Sequence, residues 1–336
     1  MRRRSVLLVL GLVALVAMGS VASAQQQRVR IAMLVKSLGN GFFEAARDGG
    51  MEAAKQLGAN VELIYTGPTA ATAEGQIEII NNLIAQRVDA IVISANDPNA
   101  LIPATKRAME RGIKVISFDS GIAAGGRLMH LNPSNVQLIG QKQIDMISKT
   151  LGAQGGEIAV LSATAQATNQ NAWIAAMRQT LQQSQYRNLR LVDVVYGDDQ
   201  SDKSYREALA LFQKYPNLRG IIAPTTVGIA AAAKAVQDRN LVGKVFVTGL
   251  GLPSEMAGYV KAGSVQTFAI WNPIDLGYSA VFAAYQFVTN RATGKAGERI
   301  SIGRMGTITL DDKTEAAMAE PFTFDKNNVD RFAKIF

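Results

Sequence analysis

Short runs built almost entirely from Val, Ile, Leu and Ala alternate with longer amphipathic stretches along most of this 336-residue chain. Val29 to Val35, Val61 to Tyr65, Ala90 to Ser94 and Lys114 to Phe118 read as strands. Phe42 to Leu57, Thr72 to Gln86 and Pro98 to Arg111 read as the helices between them. Strands this continuous in apolar residues are buried on both faces, which requires a parallel sheet covered by helices. The alternation then restarts, with strands at Glu157 to Leu161, Arg190 to Val195, Gly220 to Ile222, Val245 to Thr248 and Val265 to Ile270. Thr168 to Gln183, Ser201 to Lys214 and Val227 to Arg239 are the helices of this second set. The spacing therefore predicts an α/β protein of two doubly wound lobes. Their boundary falls near Asn132-Pro133, where the strand-like Arg127 to Leu131 meets a helix starting at about Ser134. Length agrees, because about 310 residues exceed the usual size of one hydrophobic core.

Those residues follow a leader. Arg2, Arg3 and Arg4 form a basic start, Ser5 to Met18 is apolar, and Ala22-Ser23-Ala24 supplies a small-x-small cleavage site. Residues 1–24 are thus expected to be a secretory signal peptide. A retained membrane anchor is the alternative. The polar Gln25-Gln26-Gln27 directly after the cleavage site, and an apolar core short of the ~20 residues a bilayer span needs, argue against it. The chain contains no cysteine, which excludes a lipid attached at a leader cysteine, disulfides, thiolate catalysis and cysteine zinc sites. A soluble protein held in a periplasm fits. The formal charge is +8; removing Arg2, Arg3 and Arg4 from 35 basic residues leaves 32 against 27 acidic, or +5. These charges are scattered, as on a solvated surface, and no nucleic-acid partner is expected.

In doubly wound sheets a ligand sits beyond the carboxyl ends of the strands. The segments there are Lys36 to Phe43, Ser94 to Pro98, Asp119-Ser120, Ser162 to Gln170, Ala223 to Thr226, Gly249 to Gly251 and Trp271 to Asp275. They hold mostly uncharged hydrogen-bonding groups, with three acids (Asp97, Asp119 and Asp275), one base and three aromatics, and suit a neutral polyhydroxylated molecule. Candidate ligand-binding residues in these segments include Lys36, Asn40, Phe42, Phe43, Asn96, Asp119, Thr225, Trp271 and Asn272. Asp119 would accept hydrogen bonds from two sugar hydroxyls, against the alternative of a helix cap or salt bridge. Lys36 ends the first strand beside the expected cleft, although a lysine there can also snorkel to solvent. Trp173 rides on a helix with Ile174 and Met177, so core packing and cleft lining are equally open for it.

Gly39-Asn40-Gly41 follows a strand and opens a helix, as a dinucleotide fingerprint does, but Glu44 occupies the place of the third glycine. A tight turn that presents Phe42 and Phe43 to a ligand is the better reading. His130 is the single histidine, and with no cysteine it cannot build a multi-histidine zinc site. It reads as structural. No nucleophile elbow, phosphate loop or HExxH occurs, which does not by itself exclude an enzyme; the export signal and the absence of a metal constellation are what make the chain read as a non-enzyme, with neither a metal nor a cofactor expected.

Several of these segments resemble a known family. KSLGNGFF (Lys36 to Phe43), YTGPT (Tyr65 to Thr69), AEGQIEIINNLIAQ (Ala73 to Gln86) and ISANDP (Ile93 to Pro98) resemble periplasmic sugar-binding proteins of ABC importers, in the subgroup of rhamnose- and autoinducer-2-binding proteins. SATAQATNQNAW (Ser162 to Trp173), YGDD (Tyr196 to Asp199), APTTVG (Ala223 to Gly228), VTGLGLPSEMAG (Val247 to Gly258) and WNPIDLGYSA (Trp271 to Ala280) resemble the rhizobial type of rhamnose-binding protein. The resemblance implies the type I periplasmic binding protein fold: two Rossmann-like lobes joined by a hinge of three crossovers, with the ligand between them. It implies an amino-terminal lobe of 28–131 plus 272–303 and a second lobe of 133–270 plus 304–336. It places Lys36, Asp119, Asn169, Gln170, Pro224 and Thr226 in the pocket. Asn169 and Thr226 stand where the autoinducer-2 relatives carry aspartate and alanine, which favours the rhamnose branch.

The expected function is that of a monomeric, exported, non-lipidated binding protein that delivers L-rhamnose to a permease and its ATPase subunit. Autoinducer-2 or another deoxy-sugar or pentose is the alternative ligand. A sugar-modifying exported enzyme is the rival from another class. A sugar-responsive repressor would need a helix-turn-helix where this chain carries a leader.

Overall fold

The computed structural model describes residues 28–336, so the expected signal peptide lies outside the described residues. The first sheet's elements are β1 (Val29–Leu34), α1 (Gly41–Leu57), β2 (Val61–Thr66), α2 (Ala73–Ala85), β3 (Ala90–Ile93), α3 (Ile102–Glu110), β4 (Lys114–Phe118) and β5 (His130–Asn132). The chain continues through α4 (Val136–Leu151), β6 (Gly156–Ser162), α5 (Thr168–Thr180), β7 (Leu189–Tyr196), α6 (Ser201–Lys214), β8 (Leu218–Ala223), α7 (Thr226–Asp238), β9 (Phe246–Gly249), α8 (Pro253–Lys261) and β10 (Phe268–Ile270). It ends with α9 (Pro273–Val288), β11 (Arg299–Ser301), β12 (Thr307–Thr309), β13 (Glu315–Ala317), β14 (Phe322–Phe324) and α10 (Val329–Phe332).

Two parallel sheets result. One has six strands in the order β13-β5-β4-β3-β1-β2, the other four in the order β7-β6-β8-β9. All of β3 and the Ile158 to Leu161 stretch of β6 are fully buried, as their unbroken apolar sequences require. Among the described residues no helix is long and apolar enough to cross a membrane.

The chain passes between the sheets after β5, again between β10 and α9, and a third time between β13 and β14, which pairs antiparallel with β10. The third passage departs from the expectation that residues 304–336 belong to the second lobe. β12 pairs with β11, and β13 lies parallel to β5 on the edge of the first sheet, so residues up to Ala317 extend the first lobe. Three-residue strands carry too little periodicity to be seen in sequence. The third passage runs alongside the first, with Met318 and Ala319 N–H donating to the carbonyls of Asn132 and Pro133 at 3.0 Å each.

His130 stands at the head of the first passage, buried, with both ring nitrogens engaged. Ser117 Oγ lies 3.0 Å from Nδ1, and Asn132 Oδ1 lies 3.1 Å from Nε2. Asn132 Nδ2 donates to Glu315 Oε2 at 3.2 Å, so its amide oxygen must face the ring, and Nε2 therefore carries the proton. Glu315 is ion-paired to the buried Arg127 guanidinium at 2.7 Å, which ties β5 to β13. Burial, and secondly the charge of Arg127, push the His130 pKa down to about 3. The unfolded chain therefore takes up a proton near pH 6.5 that the native ring refuses, and stability is lost as pH falls from about 6.5 toward 3, at about 1.4 kcal/mol per pH unit. His130→Gln should remove this component. Between pH 7 and pH 5 urea unfolding should show the wild type losing ~2 kcal/mol more than the variant; equal losses would mean that the ring titrates normally in the native state.

Candidate functional site

Strand ends and helix starts converge between the two sheets. After β1 the chain turns through Gly39, whose φ of +77° suits glycine, into Asn40, whose Oδ1 accepts the Phe42 N–H at 3.0 Å and caps α1. This fixes Phe42 and Phe43 in the first turn of the helix. The Gly-Asn-Gly run thus serves a turn, a cap and a close approach: a Cβ on Gly41 would lie 2.7 Å from Glu255 Oε1 of the other lobe. α5 starts without a side-chain cap and carries Thr168, Asn169 and Gln170 in its first turn, and Thr225 and Thr226 open α7.

These ends line one small shared cavity between the two sheets. Its polar wall is one connected network. Lys36 Nζ donates to Asn169 Oδ1 at 3.4 Å, and Asn169 Nδ2 donates to Asp119 Oδ1 at 2.9 Å. Ser94 Oγ donates to the other Asp119 oxygen at 2.8 Å. Gln170 Oε1 accepts from Ser162 Oγ and the Ala163 N–H, both at 2.7 Å. Lys36 and Asp119 come from the first lobe and Asn169 from the second, so the lobes meet here in a closed arrangement. Thr168 Oγ1 adds a bond across the gap to the Gly121 carbonyl at 3.0 Å. The side chains are deeply buried: Asp119 is 5% exposed and Asn169 7%.

Burial pushes the Asp119 carboxyl above its usual range, opposed by the Lys36 charge and by the Ser94 and Asn169 hydrogen bonds. Asp199 is shifted in the same direction, again first by burial, with Lys36 and a hydrogen bond from Thr225 opposing. It lines the cavity, although the residue as a whole keeps partial exposure. The cavity therefore holds two carboxylates, Asp119 and Asp199, and one ammonium, Lys36, where Asp119 was the one candidate acid in the sequence.

The apolar wall is aromatic. Phe42 meets Phe43 and Trp271 edge-on at centroid distances of 5.2 and 6.1 Å, and Trp173 meets Trp271 at 5.6 Å. Trp173 both lines the cavity and packs into the hydrophobic core. Trp271 Nε1 is buried with no hydrogen-bond partner among the described residues.

Lys36, Asn40, Phe42, Phe43, Asp119, Asn169, Gln170, Trp173, Pro224, Thr225, Thr226 and Trp271 all line this cavity. Asn96 and Asn272 do not. Asn96 Nδ2 donates to the carbonyls of Lys36 and Thr72 at 2.9 and 3.0 Å, so this side chain staples the ends of the first-lobe strands instead. Asn272 caps α9: its Oδ1 accepts the Ile274 N–H at 3.0 Å and its Nδ2 donates to Asp275. Both lie in the segments expected to reach the ligand, but backbone carbonyls claim the Asn96 Nδ2, and the helix cap and Asp275 claim the Asn272 amide. Leu250, Ile270 and Asp199 were not singled out from sequence. Leu250 and Ile270 sit at the ends of β9 and β10, and Asp199 lies three residues past β7, in the YGDD segment that carries the resemblance but is absent from the ligand-facing segments read from the strands. Among the described residues no group of three His, Cys, Asp or Glu could hold a metal ion.

Residues 31–292 match the family model described as a periplasmic binding protein domain. The chain is similar to the D-ribose/D-allose-binding protein of Pseudomonas aeruginosa, with 25% identity over 74% of this chain and 78% of that protein. It is also similar to the solved structure of an ABC transporter solute-binding protein from Clostridium phytofermentas with bound L-rhamnose. That match has 39% identity and a TM-score of 0.88, covering 92% of this chain and 99% of the other. LsrB from Clostridium saccharobutylicum in complex with AI-2 shares the fold, with 23% identity and a TM-score of 0.85 over 90% of this chain and 99% of the other.

Proposed function

We propose, for a chain that belongs to the periplasmic binding protein family, that it is the sugar-binding component of an ABC importer, with L-rhamnose as its ligand. The family places it among binding proteins, not enzymes, and its two parallel α/β sheets form the type I fold of that family. The observation that carries the reading is the interlobe cavity, where amides, carboxylates and a lysine face an aromatic wall. Pyranose hydroxyls need paired donors and acceptors, and the apolar faces of the ring, with the methyl of a 6-deoxy-sugar, pack on aromatic surfaces. The choice of L-rhamnose is supported by the 39%-identical structure that holds this sugar.

Binding proceeds by closure. An open form admits the sugar, which then contacts both lobes, so the closed form is favoured by the contacts only it can make. Asp119, Lys36, Asn169 and Gln170 hold hydroxyls, while Phe42, Phe43 and Trp271 cover the ring. The closed shape is what a permease and its ATPase subunit receive, in a periplasm reached through the signal peptide and without a lipid anchor.

A thermal-shift screen of the mature monomer against neutral monosaccharides tests this. L-rhamnose at 100 times its dissociation constant should add ~2.7 kcal/mol to stability and raise the melting temperature. A shift with another deoxy-sugar or a pentose and none with L-rhamnose would overturn the specificity and keep the class; turnover of the sugar would overturn the class.

A further inference from the structure

We propose that Asp199 is a second sugar-anchoring carboxylate, so that the ligand is gripped by Asp119 from the first lobe and Asp199 from the second and must present hydroxyl donors to both. This rests on the reading of the cavity as a monosaccharide site.

The backbone is shaped for the purpose. Asp198 and Asp199 are consecutive left-handed residues, with φ of 55° and 52°, a conformation uncommon outside glycine. Asp119 has the same conformation, with φ of 57°. The two neighbours at the end of β7 differ in fate: Asp198 pairs with Lys203 on α6, whereas Asp199 lines the cavity. Thr225 Oγ1 donates to Asp199 Oδ1 and fixes its orientation. Asp199 Oδ2 takes no hydrogen bond among the described residues. A carboxylate oxygen only partly withdrawn from water still gains from charge-assisted donors, and sugar hydroxyls supply them. The cavity offers both carboxylates only one cation, Lys36. Two anions against one ammonium disfavour sugar acids and sugar phosphates, so Asp199 also selects for neutral ligands.

Calorimetric titration of the wild type and of Asp199→Asn with L-rhamnose and each of its monodeoxy analogues tests the pairing. Asn tolerates the left-handed backbone and keeps the side chain's size. Asp199→Asn should bind L-rhamnose at least tenfold more weakly. One analogue, lacking the hydroxyl that faces Asp199, should bind the wild type at least tenfold more weakly than L-rhamnose does. That penalty should shrink to within about threefold in the variant, as a thermodynamic cycle on a direct contact requires. Thr225→Val reads the same coupling with residue 199 intact, and should shrink the same analogue's penalty. If every penalty is equal in wild type and variants, the inference falls while the sugar-binding reading stands. If the wild type binds another neutral monosaccharide, the same cycle is run on that sugar; if it binds none, the functional reading falls and takes this inference with it.

Discussion

Asp119→Ala is expected to weaken L-rhamnose binding at least tenfold in calorimetry. Asp119 accepts hydrogen bonds from Ser94 and Asn169 at its two oxygens, faces the charge of Lys36 and is itself buried. Removing one side of a buried, charged hydrogen-bond set costs ~2–5 kcal/mol at interfaces, and at ~1.4 kcal/mol per tenfold this exceeds the tenfold floor. Part of the loss comes from leaving the Ser94 hydroxyl and the Asn169 amide without their acceptor. Alanine also fits poorly at a φ of 57°, so Asp119→Asn, which tolerates that backbone, separates loss of charge from strain. Both variants should weaken binding. An unchanged affinity in Asp119→Asn would remove the charge from the mechanism, and an unchanged affinity in Asp119→Ala would remove the residue from the site.

The largest effect on stability is expected at the crossing of α1 and α9. Here the helices approach through reciprocal glycines: a Cβ on Gly277 would lie 1.8 Å from the Ala46 carbonyl oxygen, and one on Gly49 would lie 1.8 Å from that of Ile274. No rotamer change relieves a clash with backbone, so Gly277→Ala must push the two helices apart. α9 follows the second passage between the lobes and covers the first sheet beside α1, so the shift would loosen packing over a long contact. Overpacking typically costs ~1–3 kcal/mol, and a rigid backbone clash belongs at or above the top of that range. Thermal melting should fall by several degrees. Gly258→Ala on α8 is the control, because a Cβ there meets nothing within 4 Å and alanine favours a helix. Equal melting temperatures for the two variants would contradict the close crossing.

The sheets were legible in sequence because they are buried on both faces. β4 and α6 occupy the expected ranges, and most other strands lie within a residue or two of theirs. The cavity was legible for a related reason: in parallel sheets a residue's place just past a strand determines which end of the sheet it faces, so Lys36, Asp119 and Pro224 could be gathered without coordinates. Competition for side-chain atoms was hidden. Asn96 and Asn272 sit at the right depth, but backbone carbonyls and a helix cap claim them, and nothing in the residue types distinguishes them from Asn169. The β13 edge strand was also hidden, since it is specified by its pairing with β5 and by the Arg127–Glu315 contact, not by a local pattern.

The chain's two tryptophans, Trp173 and Trp271, both line the cavity and touch each other, so all of its tryptophan emission originates at the proposed site. Titrating the mature protein with L-rhamnose while recording that emission is therefore the most direct test. A saturable change that fits one site, with the sugar recovered unaltered, is the expected result. Emission that stays constant at sugar concentrations where calorimetry shows the protein saturated would mean that the sugar binds elsewhere, and would contradict the account.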